Sequence, residues 1–129
     1  SILEIIENKL VKSVHDCSKG GLAVAVSELC MTNNIGCSVF LNKVPGESLP
    51  VDKILFSESH SRYLLSVEKN NLDDLKTILE KNYTSFEIIG NFGGNSILFS
   101  NDSKPVIDLM VDKTQKTWLN SLEGLIMHA

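Results

Sequence analysis

The adjacent glycines Gly20-Gly21, set between His15-Asp16-Cys17-Ser18-Lys19 and an apolar run beginning at Leu22, constrain this chain more than any other stretch. Glycine is about 1 kcal/mol worse than alanine inside a helix, so two of them where a helix starts answer a physical need. One such need is the approach of an anion to the first amides of the helix, which lack intrahelical partners and lie at its positive end. On that reading Ser18 caps the helix, the N–H groups of Lys19, Gly20 and Gly21 cradle a phosphate, Lys19 adds charge, and His15 or Asp16 contacts a sugar or a proton in transit. The other need is a tight strand-to-helix turn with positive φ. Ser18 is then only an N-cap, Asp16 bonds loop amides and His15 packs in the core.

The flanking periodicity places this loop. Ile2, Leu3, Ile6 and Leu10 share one face at helical spacing, so a helix is expected from residue 2 to about 12, followed by an extended link over 13–15. Leu22, Ala25, Val26, Leu29 and Cys30 repeat at helical spacing with Ala23 and Val24 widening the face, which predicts a largely buried helix ending near Asn33-Asn34. Residues 37–42 alternate as a strand does, and residues 43–53, with Pro45, Gly46 and Pro50, read as a surface loop. The apolar triplet Ile54-Leu55-Phe56 follows, and Tyr63 to Val67 reads as a strand. Asn71 and the acids Asp73 and Asp74 open a helix over 72–81. Phe86–Phe92 and Ser96–Ser100 are β-rich runs on either side of Gly93-Gly94, which predicts a tight hairpin. A turn at 101–105 leads to a strand at 106–109, and Trp118, Leu122, Leu125 and Ile126 mark a closing helix with Trp118 in the core. This mixture predicts one α+β domain over residues 1–129, with a mixed, mostly antiparallel sheet packed with helices.

A second polar stretch, Ser57-Glu58-Ser59-His60-Ser61-Arg62, sits between the apolar triplet and a strand. As a ligand loop, it offers Glu58 and Ser59 for hydroxyl or amide groups and Arg62 as a bidentate fork for phosphate or carboxylate. As a structural loop, it is fixed by an internal pair of Glu58 with Arg62.

Charge and cysteine usage narrow the classes of function. The net charge of −4 and pI near 5.3 provide no broad basic field for a nucleic-acid backbone. No apolar run reaches a membrane span, so neither nucleic acid nor membrane is an expected partner, and the cytoplasm is the expected compartment. Cys17, Cys30 and Cys37 are odd in number and unpaired by any C-x-x-C spacing, which reads as reduced thiols without a zinc site. At a helix start Cys17 can acquire a lowered pKa, but it equally suits a small buried apolar group. A chain that opens at Ser1 directly before a helical pattern reads as part of a longer polypeptide.

Taken together, H-D-x-S-x-G-G-L-A-x-A-x-x-E at His15–Glu28 and L-F-S-E-S-x-S-R at Leu55–Arg62 resemble the C-terminal domain type of the aminoimidazole ribonucleotide synthetase superfamily. Within it, the pattern is most similar to the last such domain of the phosphoribosylformylglycinamidine synthase family. Ile89-Gly90 and Trp118 also fall where that family has them.

The resemblance implies a ligase of purine biosynthesis that uses ATP and glutamine-derived ammonia to turn formylglycinamide ribonucleotide into its amidine. It implies that ATP and magnesium are bound mainly by N-terminal domains of the same enzyme, that a glutaminase subunit or domain supplies ammonia, and that this domain closes the cleft. No catalytic residue, metal ligand or cofactor is then expected in this chain, and the domain alone is expected to be inactive. The candidate ligand contacts are His15, Asp16, Ser18, Gly20, Gly21, Glu58, Ser59 and Arg62. His60 stands where Gln is common in the family, and the first loop has the form of the synthase's second half, which suits a cleft wall with a vestigial or auxiliary phosphate site. The equivalent domain of aminoimidazole ribonucleotide or selenophosphate synthetase, and a non-catalytic nucleotide- or phosphate-binding module, are the alternatives.

Overall fold

The computed structural model of the chain describes residues 2–17, 20–44, 49–58 and 62–128, with residues 120–128 as helix backbone only. The chain divides into two compact units, Ser1–Ala25 with Pro45–Ile88 and Val26–Val44 with Ile89–Ala129.

In the first unit, helix α1 (Ile2–Glu7) leads to strand β1 (Ser13–Asp16), and helix α2 (Gly21–Asn33) starts here before passing in sequence to the second. The unit continues with helix α3 (Val51–Phe56), strand β3 (Tyr63–Ser66) and helix α4 (Leu72–Lys81). Its core gathers Ile5 and Leu10 with Leu75 and Leu79, and Leu65, Val67, Ile78 and Phe86 pack against them. Each such aliphatic side chain contributes roughly 1.5–3 kcal/mol on burial. Strand β1 pairs antiparallel with β3, from Ser13 opposite Ser66 to Asp16 opposite Tyr63.

The expected first helix is corrected in length and in face. It stops at Glu7, burying Ile5 while leaving Leu3 75% and Ile6 49% exposed. The cause is local: Lys9 turns left-handed (φ 55), its N–H donates to Ile6 O at 3.0 Å, and the Leu10 N–H donates to Ile5 O at 3.2 Å. This is a Schellman ending, in which the residue after the turn packs on the last buried helical residue. Helix α4 ends likewise at Tyr83 (φ 54), with the Tyr83 and Thr84 N–H groups donating to Glu80 O and Leu79 O. At Asn8 and Asn82, immediately before the left-handed residues, the side-chain amide donates back to the carbonyl four residues earlier, at 2.7 and 2.8 Å.

The segment read as loop over 43–53 contains the start of α3. Pro50 occupies the N-cap, Asp52 lies in the first turn, and Leu55 is buried. Proline's fixed φ suits a helix entrance, and that local signal outweighs the loop-like composition upstream.

The second unit holds a four-stranded sheet in the order β4-β2-β5-β6, from β2 (Cys37–Phe40), β4 (Gly90–Phe92), β5 (Ser96–Asn101) and β6 (Lys104–Met110), followed by α5 (Val111–His128). Among the described residues only the β2–β5 pair is parallel; β2–β4 and β5–β6 are antiparallel. The mixed, mostly antiparallel α+β class follows from these pairings.

The hairpin expected at Gly93-Gly94 is not formed, because β2 lies between β4 and β5. The two glycines instead wrap the entrance of β2: the Gly36 N–H donates to Gly94 O and the Gly93 N–H donates to Gly36 O, both at 2.9 Å. The expected strand over 86–92 shortens to Gly90–Phe92. The actual hairpin joins β5 to β6 through Asp102 (φ 49) and Ser103 (φ 68), the paired left-handed residues of a two-residue turn. The register shifts between Phe99 and Ser100, opposite the segment that carries Pro105, which has no N–H to give to the ladder.

Ile97 and Phe99, two apart on β5, are fully buried, as is Leu41, and Val39 is buried. The expectation of Trp118 as a core residue is overturned, since Trp118 is 50% exposed. The side chains of Leu122, Leu125 and Ile126 lie outside the described residues.

Candidate functional site

The ladder between β1 and β3 explains how two motifs far apart in sequence meet. Asp16 pairs with Tyr63 at the end of the ladder, and one step further the Cys17 N–H donates to Arg62 O at 3.1 Å. The chain leaving β1 and the chain entering β3 therefore emerge side by side, each carrying one polar loop. Joining them, the Gly20 N–H donates to Glu58 Oε1 at 3.3 Å.

Both glycines have the backbone that the loop demands, with φ +73 at Gly20 and +67 at Gly21. Gly21 is also a point of close approach. A Cβ there would sit 2.8 Å from Leu55 O and Phe56 C and 2.9 Å from Ser57 O, so the start of α2 rests on the end of α3. These backbone groups of α3 are the part of the site that residue-type reasoning missed. Pro50 followed by Val51, Ile54 and Leu55 at helical spacing was the available signal.

Among the candidate contacts, Asp16 and Glu58 are exposed, His15, Gly20 and Arg62 are half-buried, and Gly21 is buried. Ser18 and Ser59, with their neighbours Lys19, His60 and Ser61, lie outside the described residues. Among the described residues no ion pair joins Glu58 to Arg62; the pair found is Lys12 with Glu68, at 2.9 Å on the surface. Arg62 Nη1 is a buried atom with no hydrogen-bond partner among the described residues. A guanidinium nitrogen in that condition carries an unmet desolvation cost.

Cys17, fully buried beside this cation, behaves as a packed thiol. Burial pushes its pKa up, the Arg62 guanidinium opposes that, and the Asp16 carboxylate adds to it. The arrangement therefore provides no activated sulfur nucleophile. Among the described residues no three His, Cys, Asp or Glu side chains converge as a metal site. No described helix is long and apolar enough to cross a membrane. Among its described residues the site offers a cationic fork at Arg62, the start of α2, and the Glu58 carboxylate already engaged with the Gly20 amide.

Comparison with known proteins places the chain in a family. Residues 1–99 match the family model described as AIR synthase related protein, C-terminal domain. The chain is similar to the phosphoribosylformylglycinamidine synthase subunit PurL of Thermococcus sibiricus, with 41% identity over 126 residues, 97% of this chain and 17% of that protein. PurL of Methanococcus aeolicus is 38% identical over 125 residues, 97% of this chain and 16% of that one. The chain thus spans about one sixth of the length of these relatives. T. maritima PurL, solved in complex with FGAR, superposes with a TM-score of 0.79 at 24% identity, covering 88% of this chain and 19% of that one, which shows a common fold. The same fold is shared with that protein complexed with ATP, at a TM-score of 0.79, 24% identity and 88% and 20% coverage. With two loop motifs brought together on β1 and β3 and a family model matched over most of its length, this chain belongs to the AIR synthase related protein C-terminal domain family.

Proposed function

We propose that this chain is the C-terminal-type domain of a phosphoribosylformylglycinamidine synthase and works as a wall of its catalytic cleft. The parent enzyme performs ATP-dependent amidation of formylglycinamide ribonucleotide in purine biosynthesis, in the cytoplasm. The observation that carries this is the span of similarity: 97% of the chain aligns with PurL subunits at up to 41% identity. That T. maritima PurL has been solved with FGAR, with ATP and within PurLQS supports the substrate, the nucleotide and the need for partners. N-terminal domains of the same enzyme supply most nucleotide and magnesium contacts, and a glutaminase partner supplies ammonia.

Within that frame, His15, Asp16, Ser18, Gly20, Gly21, Glu58, Ser59 and Arg62 are the candidate ligand contacts. The unmet Arg62 Nη1 supports an anion at the joined loops. Glu58 already holds the Gly20 amide, so an incoming phosphate competes with an internal carboxylate. A weak, auxiliary anion contact is the role that suits this geometry. Incubation of the isolated 129-residue chain with ATP, magnesium, formylglycinamide ribonucleotide and ammonia tests the division of labour. No amidine forms on this reading, and steady turnover by the chain alone contradicts it.

A further inference from the structure

We propose that the exposed apolar margin formed by strand β6 and the first half of α5 is a docking surface for another segment of the same long synthase polypeptide. The inference rests on the synthase reading, and its test separates the two. Both elements belong to the second unit. They lie beyond residue 99, where the match to the family model ends, and almost wholly within the 97% of the chain aligned with T. sibiricus PurL. Among the described residues β6 pairs with β5 alone, as an edge strand. The register sets Leu109 opposite Ile97, so the two side chains share one face of the sheet. Ile97 is fully buried, yet Leu109 is 44% exposed. The apolar face thus runs past the cover that the unit itself provides, and Val106 and Met110 on the same strand are exposed as well.

Helix α5 repeats the arrangement. Val111 is buried and Gln115 Nε2 donates to Met31 O on α2 at 3.4 Å; Trp118 lies on the same helical face as both. Roughly 10 Å along the axis from Val111, that face has left its cover, and Trp118 and Leu119 stand half-exposed. Single exposed apolar side chains are ordinary, whereas a run of them along a strand edge and into the adjoining helix marks an interaction surface, with the tryptophan as its natural anchor. The backbone of the edge narrows the choice of occupant. The Val111 N–H donates to Asn95 O at 2.9 Å, so the hydrogen-bonded pairs of the ladder fall on Leu109 and Ile107, and the backbone groups of Asp108 and Met110 point outward. Addition of a strand there, from a second copy or a peptide, is opposed by Pro105, by the register shift between Phe99 and Ser100 and by the Asp108 carboxylate, all devices that discourage edge-to-edge pairing. Docking therefore goes through side chains. Because the chain spans about one sixth of its PurL relatives, the polypeptide that carries this domain on the synthase reading also carries ample further surface to cover the margin.

The test is hydroxyl-radical footprinting read by peptide mass spectrometry, which labels accessible Trp and Met side chains. It is applied to the isolated chain and to T. sibiricus PurL carrying this chain in place of its own matching segment. Trp118 and Met110 are expected to label freely in the chain alone and several-fold more slowly in the hybrid. Equal labelling in both overturns the proposal. So does protection in the chain alone that grows with its concentration, which would make the surface a contact between copies. Should the hybrid fail to fold, the isolated chain labelled with and without an excess of T. sibiricus PurL lacking that segment decides between the same outcomes. Amidine formation is assayed separately: a hybrid that turns over without protecting Trp118 removes the docking surface and leaves the synthase reading standing, and one that protects Trp118 without turnover does the reverse.

Discussion

The Gly20 N–H donates to Glu58 Oε1 at 3.3 Å, joining residues 38 positions apart across the mouth of the β1–β3 ladder. An acidic side chain thus occupies an amide that an anion cradle at the start of α2 would use. Replacing it sharpens the ligand question: Glu58→Gln removes a competing charge and is expected to tighten binding of inorganic phosphate or ATP several-fold, about 1 kcal/mol. Arg62→Gln is expected to weaken the same binding by a similar factor. Isothermal titration of the two variants against wild type checks this, and equal affinities for all three would remove these loops from ligand contact.

The two sorts of glycine turn can be separated by alanine. Gly21 and Gly94 both have φ near +68, at +67 and +69, but only at Gly21 would a Cβ meet backbone atoms, while nothing lies within 4 Å of one at Gly94. Gly94→Ala is expected to cost about 1–2 kcal/mol from left-handed strain alone. Gly21→Ala adds a collision with the end of α3 and should cost clearly more. Urea unfolding of both variants measures the difference.

The register of α1 makes a contrasting pair. Ile5 is fully buried against Leu75 and Leu79, whereas Leu3 is 75% exposed. Ile5→Ala is expected to lose roughly 2–5 kcal/mol through cavity formation, and Leu3→Ala to change stability by less than about 0.5 kcal/mol. Their unfolding midpoints report directly which face of the helix is inside.

Alkaline pH should destabilise the chain. The Cys17 thiol is raised above its ordinary 9.0 by burial, so as pH climbs past that value the unfolded chain loses a proton that the folded chain keeps. Fewer protons on the unfolded state means stability falls with rising pH. The contribution is intact below the unfolded thiol pKa and is lost as pH rises toward the folded one. Thermal unfolding between about pH 8 and 10.5 is expected to show a smaller decline for Cys17→Ala than for wild type.

Much of this fold was legible in local chemistry. Asn34 marked the end of α2, Asn71 with Asp73 and Asp74 marked the start of α4, and alternation at Cys37 and Val39 marked β2. What escaped was set by partners distant in sequence. Gly93-Gly94 carry the composition of a hairpin, yet Gly36 bonds between them because β2 pairs on both sides. Both Leu3 and Ile5 are apolar, and only the left-handed turn at Lys9, which brings Leu10 back onto Ile5, decides which is buried. The candidate site divides the same way: both motifs were visible as residue types, while the ladder that joins them and the α3 carbonyls under Gly21 are backbone features with no residue-type signature.

We propose above that this chain serves as the cleft-closing domain of a PurL-type synthase. Its most direct test is the synthase activity of Thermococcus sibiricus PurL carrying this chain in place of its own matching segment, measured with the partner subunits, ATP and ammonia. ATP-dependent amidine formation within about tenfold of the parent subunit is expected, a loss of at most about 1.4 kcal/mol in the barrier. A folded, ATP-binding hybrid that forms no amidine would contradict it.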